Sequence, residues 1–411
     1  MSYPGATTFA AAWRSVGVDA EVVPPSDDQT LALAAPYLSG DECLPQKVTL
    51  GDLLKIARRP DFDPDRTAFF FATTGGPCRF GQYISLFRKV FREAGHGEVT
   101  FIAPTSDDSY QGVGREVSAL PRLAWQAVVS ADILQKLLLS VRPYEVNGGE
   151  TDRVFEESLG RLCKLIERPT SSPLRRRSEL VASLTDIRER FRRVPVRPEA
   201  RPLIGVVGEI FCRLNGFSNQ EVIRRLEGLG GEAWLSDVSE WVWYCNHSEA
   251  QRLALRGKRL SFAMLGVILR DHVQRADEHA LYAPFRDEFR GREEPERVTE
   301  LLDRARPYLP SEGAMGEMVL SLGKAIYLYE KGVDGVIDVS PFTCMNGIVS
   351  QALYPKVSRD HRGFSVKNFF FDGSPATLDR DLEIFLELAW SYRARRRLAS
   401  PLRLLPRVTL D

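Results

Sequence analysis

Short, almost wholly apolar runs alternate along this chain with stretches in which apolar residues recur every three or four positions. The run TAFFFA, Thr67 to Ala72, has the length of a buried strand. It leads through the loop TTGGPC into an amphipathic helix predicted from about Phe80 to Ala94, and then into a second strand-like run from Val99 to Ala103. Strand, glycine-containing loop, helix and strand in this order predict a βαβ unit with parallel strands. Upstream, helical spacing from Thr8 to Val16 runs into a short extended piece at Ala20 to Val23, and Val48 to Ala57 reads as a helix.

From Leu123 to Arg142, Thr151 to Glu167 and Ser178 to Arg193 the spacing is helical and no strand intervenes, which predicts a helical bridge. The proline- and arginine-rich VPVRPEARP then connects to a second α/β series. Its predicted strands are Leu203 to Val207, Ala233 to Leu235, Gly335 to Val339 and Ser365 to Phe371. Its predicted helices run from Ser218 to Leu229 with Ser218 as N-cap, from Asp237 to Tyr244, through a charged stretch from Gln251 to Arg306, from Glu317 to Lys331, onward from the turn SPFTCMNG into Leu353, and from Thr377 to about Arg395. The expected fold class is α/β: two Rossmann-like parallel-sheet lobes, residues 1–122 and 201–411, joined by a helical bridge, 123–200, with the functional site in the cleft.

Composition adds exclusions. A chain of 411 residues, 44% hydrophobic and 27% charged, can bury ordinary cores. Its 55 Lys and Arg balance 55 Asp and Glu, so no global field draws it to nucleic acid or anionic lipid. The start, MSYPGATTFAAAWRS, lacks the charged and apolar regions of a signal peptide, and no stretch approaches the ~20 apolar residues that span a bilayer. The expectation is a cytoplasmic protein with neither membrane nor nucleic acid as partner.

In that compartment six cysteines do not read as a disulfide framework, and with only five histidines and no HxxxH pair any metal site would be a thiolate site. Cys43 (SGDECLPQK), Cys78 (TTGGPCRFGQY) and Cys344 (SPFTCMNGIV) share a setting, each in a Gly- or Pro-containing turn just before a predicted helix. Helix N-termini present free N–H groups and the positive end of the dipole, and at the carboxyl ends of parallel strands they line ligand sites. Such positions favour thiolates and tune a bound iron-sulfur cluster. Gly75 and Gly76 would let the backbone approach the inorganic core. A cysteine taken alone is more commonly a small buried hydrophobe, and Cys163, Cys212 and Cys245, inside helical patterns, are read that way.

These turns resemble those of the 2-hydroxyacyl-CoA dehydratase and activase-related family. The similarity runs over GVDAEVVPP with SGDECLPQKVTLGDLL, TTGGPCRFGQY, WQAVVSADILQKLLLSVRPYE, IGVVGEIFCRLNGFSNQEVIRRLEGLGGEAWLSDVSEW, and GVDGVIDVSPFTCMNG with FFFDGSP. The resemblance implies an anaerobic electron-transfer protein with Cys43, Cys78 and Cys344 as ligands of a 4Fe-4S or double-cubane cluster. It further implies low-potential electrons from an ASKHA-type ATPase activator in trans, a CoA-linked or small-molecule substrate, and a homo- or hetero-dimer. The family's ATPase segment is not in this sequence, which also has no Walker A or GxGxxG motif. Met345 and Asn346 follow Cys344 where the family often has proline, and the usual first strand is reduced to a few residues around Tyr3. A non-catalytic cluster carrier or assembly partner, and a metal-free binding module, are the alternative readings.

Further candidates flank the cysteines. Arg79 and Gln82 could donate hydrogen bonds to cluster sulfide or a substrate carbonyl. Glu209, Asn215, Asp237 and Asp372 each follow an apolar run and could face the crevice, where proton transfer needs an acid. Arg175 to Arg177 and Arg395 to Arg397 are read as solvated helix faces, and Trp234, Trp241 and Trp243 as core.

Overall fold

The computed structural model describes residues 2–108, 119–170, 172–310, 316–374 and 378–398. Helices α1 (Tyr3–Arg14), α2 (Asp28–Ala34) and α3 (Leu44–Ala57) precede β1 (Ala68–Phe70), and α4 (Tyr83–Glu93) crosses over to β2 (Thr100–Ile102). β1 and β2 form a parallel pair, with Phe69 opposite Phe101. Three long helices follow: α5 (Leu120–Val141), α6 (Glu150–Ile166) and α7 (Pro173–Arg192).

The second sheet is built from β3 (Leu203–Gly208), β4 (Glu232–Leu235), β5 (Gly335–Pro341) and β6 (Val366–Phe371). All its neighbours are parallel, in the order β4-β3-β5-β6. Helices α8 (Ile210–Leu214) and α9 (Val222–Gly228) join β3 to β4. Between β4 and β5 run α10 (Val238–Leu255), α11 (Phe262–Tyr282), α12 (Val298–Ala305) and α13 (Glu317–Lys331); α14 (Met345–Asp360) joins β5 to β6, and α15 (Leu378–Leu398) follows. The chain is therefore α/β with two parallel sheets.

Side-chain period and burial explain the layers. β5 is buried at every position, as a strand covered on both faces must be. One face of the second sheet packs on α15 and α9 through Leu226, Leu382, Phe385 and Ala389, and the other meets α13, α12 and the long helices. The first sheet has its own aromatic core of Phe69, Phe87, Phe91 and Phe101. Helix α1 packs on α5 and α6.

The predicted elements recur with shifted ends, and Glu317–Lys331 is reproduced residue for residue. Four local readings are corrected. Ala20 to Val23 forms no strand, Tyr3 opens a helix, and Ser218 does not cap α9, which begins at Val222. The side chains of Asn215 and Asn219 instead accept from Ser218 N–H (2.8 Å) and Val222 N–H (3.2 Å), stabilising turns that delay the helix. The arginine runs are not simply solvated. Arg176 is buried, its guanidinium donating to the Leu165 and Arg168 carbonyls, while Arg396 donates to Gly332 O (2.6 Å) and pairs with Asp334 (3.0 Å). The predicted helix start at Thr377 and the side chain of Arg397 lie outside the described residues.

β3 leads to β4 on one side, and β5 then returns to pair on the other side of β3. The carboxyl ends of β3 and β5 therefore flank the point where strand order reverses, where parallel sheets open a crevice. Among the described residues, no helix is long and apolar enough to cross a membrane.

Candidate functional site

Cys43, Cys78 and Cys344 each occupy the N-cap of a helix: α3, the 3-10 turn Arg79–Gln82 that precedes α4, and α14. Their backbones are nearly superposable, with φ/ψ of −69/152°, −68/133° and −68/125°. The N-cap geometry turns each thiol toward its helix's unpaired first-turn N–H groups. None of the thiols forms a full capping hydrogen bond, yet the N–H groups of Gln46, of Phe80, and of Asn346 and Gly347 lie close enough to favour the respective thiolates.

All three cysteines line one open cleft of about 3110 Å³. Cys344 stands beyond the end of β5, and Cys78 beyond β1. Gly76, with φ +84°, bends the loop before Cys78, a conformation glycine adopts without strain. Gly75 lines the cleft and packs so closely on Asp107 that a Cβ there would lie 2.3 Å from the carboxylate.

A single side chain ties the three turns together. Arg79 Nη1 donates to the carbonyl of Asp41 (2.8 Å), two residues before Cys43. Its Nη2 donates to the carbonyl (3.0 Å) and Oγ1 (2.9 Å) of Thr343, one residue before Cys344, while its own backbone follows Cys78. Arg79 is thus a clamp between turns, and the fork geometry of guanidinium suits that use. Gln82 is exposed and does not line the cleft.

The thiols are held protonated. Burial raises Cys43, takes Cys78 to about 11 and lifts Cys344 further, with the charges of Glu209 and Glu317 adding to the last two. The expected lowering by helix N-termini is present in direction but outweighed, because desolvation penalises a thiolate more than one or two N–H groups offset. Such thiols are poor nucleophiles at neutral pH. The Cys43 thiol is hydrogen-bonded to the Tyr83 hydroxyl, and on the Tyr83 ring Phe80 packs edge-on and Phe71 stacks.

Glu209 follows β3 and caps α8, its carboxylate accepting from Phe211 N–H (3.0 Å) and Cys212 N–H (2.7 Å). It is half-buried and lines the cleft, and burial raises its pKa against those bonds. Beside it lies a residue the sequence reading passed over. Glu317, at the start of α13, accepts from Ile210 N–H (2.8 Å) and Asn346 Nδ2 (2.8 Å), and burial followed by the charge of Glu209 raises it to about 8. An acid in the first turn of a helix reads from sequence as dipole compensation, so nothing local marked it.

Asn215 lines the cleft. Asp237 is buried elsewhere, paired with Lys136 (3.0 Å), and Asp372 closes a turn with Ser374 N–H (2.7 Å). Cys163, Cys212 and Cys245 are buried, although Cys245 also borders the cleft. Trp234 and Trp243 fill the core, whereas Trp241 is partly exposed to the cleft. Among the described residues, no three His, Cys, Asp or Glu side chains are grouped to hold a single metal ion. A scan against family models and a search of curated proteins find no match for this chain.

Proposed function

We propose that the chain is an iron-sulfur protein of the 2-hydroxyacyl-CoA dehydratase and activase-related type. In this reading two Rossmann-like lobes enclose a 4Fe-4S or double-cubane cluster held by Cys43, Cys78 and Cys344. It takes low-potential electrons from an ATP-driven activator and passes them to a small or CoA-linked substrate. The observation that carries the reading is that three cysteines at helix N-cap positions, with similar extended backbones, line a single cleft and have their turns joined by Arg79.

The donor type, three thiols, supports the reading. The three thiols are free of disulfides, and sulfurs that each bind a different iron need not converge on one point, so a single-ion grouping is not required. When bound, the cluster supplies one-electron transfer at low potential. The chain supplies the rest. Arg79 holds the three turns in register across the cleft. First-turn N–H groups of α3, of the turn after Cys78 and of α14 offset negative charge at the sulfurs. Tyr83 orients Cys43, and Phe71 and Phe80 limit water on that side. Three protein ligands leave room for substrate or a further ligand.

Anaerobic reconstitution with iron and sulfide, followed by iron analysis and EPR, tests the proposal. Substituting Cys43, Cys78 or Cys344 by Ala is expected to abolish or alter the signal, and Cys212→Ala, a packing change behind the site, to leave it. A chain that takes up no iron under those conditions removes the reading.

A further inference from the structure

The two carboxyl groups at the floor of the cleft have no part in holding the cysteines. Glu317 Oε1 accepts from Ile210 N–H and Oε2 meets the Asn346 amide, both at 2.8 Å, and Glu317, Glu209 and Asn346 all line the cleft. The groups whose charges or hydrogen bonds act with Glu317 are Glu209 at the cap of α8, Arg213 within it, Asn346 and Cys344 at the start of α14, and Cys78 from the first sheet's loop. Arg213 is buried, with Nη1 donating to Gly208 O (3.2 Å), and its charge acts on both carboxylates without outweighing their burial. Two ionised carboxylates sharing a poorly hydrated site repel, and one of them keeps its proton.

Asn346 is suited to either state of its neighbour. It is 7% exposed, and its Oδ1 is buried without a hydrogen-bond partner. An amide can donate through Nδ2 to a carboxylate or, turned over, accept through Oδ1 from a carboxylic acid. Glu209 lacks that freedom, because backbone N–H groups, which only donate, hold both its oxygens. Glu317 is therefore the member of the pair that can gain and lose a proton without leaving its partner unpaired.

We propose that Glu317 is the acid of this cleft, standing protonated beside Glu209 and delivering its proton to an uncharged small molecule that is reduced near the three cysteines. The inference rests on the electron-transfer reading above. One electron comes from the low-potential donor and one proton from Glu317. The carboxyl O–H bond breaks, a bond from hydrogen to the reduced atom forms, Glu317 becomes a carboxylate, and solvent in the cleft returns the proton. A floor that is already anionic at Glu209 disfavours a negatively charged reacting group, which is why the reducible portion of the substrate is uncharged.

Infrared difference spectroscopy of Glu-labelled protein without iron reads the proton directly. With a midpoint near pH 8, protonated Glu317 should outnumber the ionised form about ten to one at pH 7. The component of the protonated-carboxyl signal that titrates near pH 8 should be lost in Glu317→Gln and should titrate at lower pH in Glu209→Gln, which removes the repelling charge; buried Glu278, also raised by burial, keeps its own band in every variant. An ionised Glu317 at pH 7, or a component near pH 8 that survives Glu317→Gln, overturns the inference and leaves the cluster reading standing. In reconstituted protein at pH 9, one-electron reduction should draw one proton into the wild type and none into Glu317→Gln; equal uptake in both also overturns it. If no iron binds, the cluster reading fails, and the infrared titration still decides whether Glu317 carries a proton at neutrality.

Discussion

Removing the Arg79 guanidinium should loosen all three cysteine turns at once. Its three hydrogen bonds join the turn after Cys78 to Asp41, 38 residues before Arg79, and to Thr343, 264 residues after it. A hydrogen bond with one charged partner contributes ~1.5–3 kcal/mol when sheltered. Arg79 is half-exposed, so about 1 kcal/mol each is the fitting value, or roughly 2–3 kcal/mol in all. At 1.4 kcal/mol per tenfold, that is roughly a 30- to 150-fold loss in the population of the assembled site. Arg79→Ala should therefore release iron from reconstituted protein faster in a chelator challenge, and lower the urea midpoint followed by circular dichroism. Arg79→Lys keeps the charge but can reach only one turn at a time, and should recover less than half of the effect. If Arg79→Ala held its iron and its urea midpoint while losing only turnover, the guanidinium would be acting on substrate, and the clamp would be refuted.

Stability should fall as pH rises from 7 to 8.5. Glu317 and Asp132 are raised from 4.5 and 3.8 to about 8, chiefly by burial, so the folded chain keeps protons that the unfolded chain has already lost. Their contribution is complete below pH 4 and gone above about 8; His247, which burial lowers, acts oppositely only below 6.5. Urea midpoints at the two pH values check the sign, and a rising midpoint contradicts it. Glu294→Ala should cost about 1–3 kcal/mol in equilibrium unfolding, because it removes one of two carboxylates from each buried lysine and leaves Lys136 on Asp237 (3.0 Å) and Lys324 on Glu240 (2.9 Å) alone. Gly347→Ala would place a Cβ 2.7 Å from Ser340 Cβ and 2.9 Å from the Phe370 ring. It should cost ~1–3 kcal/mol by overpacking and push Cys344 off the end of β5, read as lower stability together with lower iron content.

Element order and type were legible in the residues because they follow from local periodicity. TAFFFA, LIGVV and the run before SPFTC read as strands between helices, although in TAFFFA only Phe69 is buried, and Cys43, Cys78 and Cys344 stand out because Pro, Gly and turn residues flank them. The failures were local competitions that periodicity does not register. The Asn215 side chain held Ser218 in a turn and that of Asn219 held Val222, and Arg176, which sequence assigns to solvent, found free carbonyls at and just past the end of α6.

What the sequence determined by itself was a parallel α/β fold and three cysteines poised at helix starts. Only the tertiary structure decided that those starts open on one cleft, that Arg79 is occupied in joining them, and that Glu317 lies beside Glu209. Strand order and burial cannot be read from spacing, since they depend on which distant segments pair. The same burial reverses the expected pKa of the thiols, because desolvation depends on what the rest of the chain packs around a side chain and not on the residues next to it.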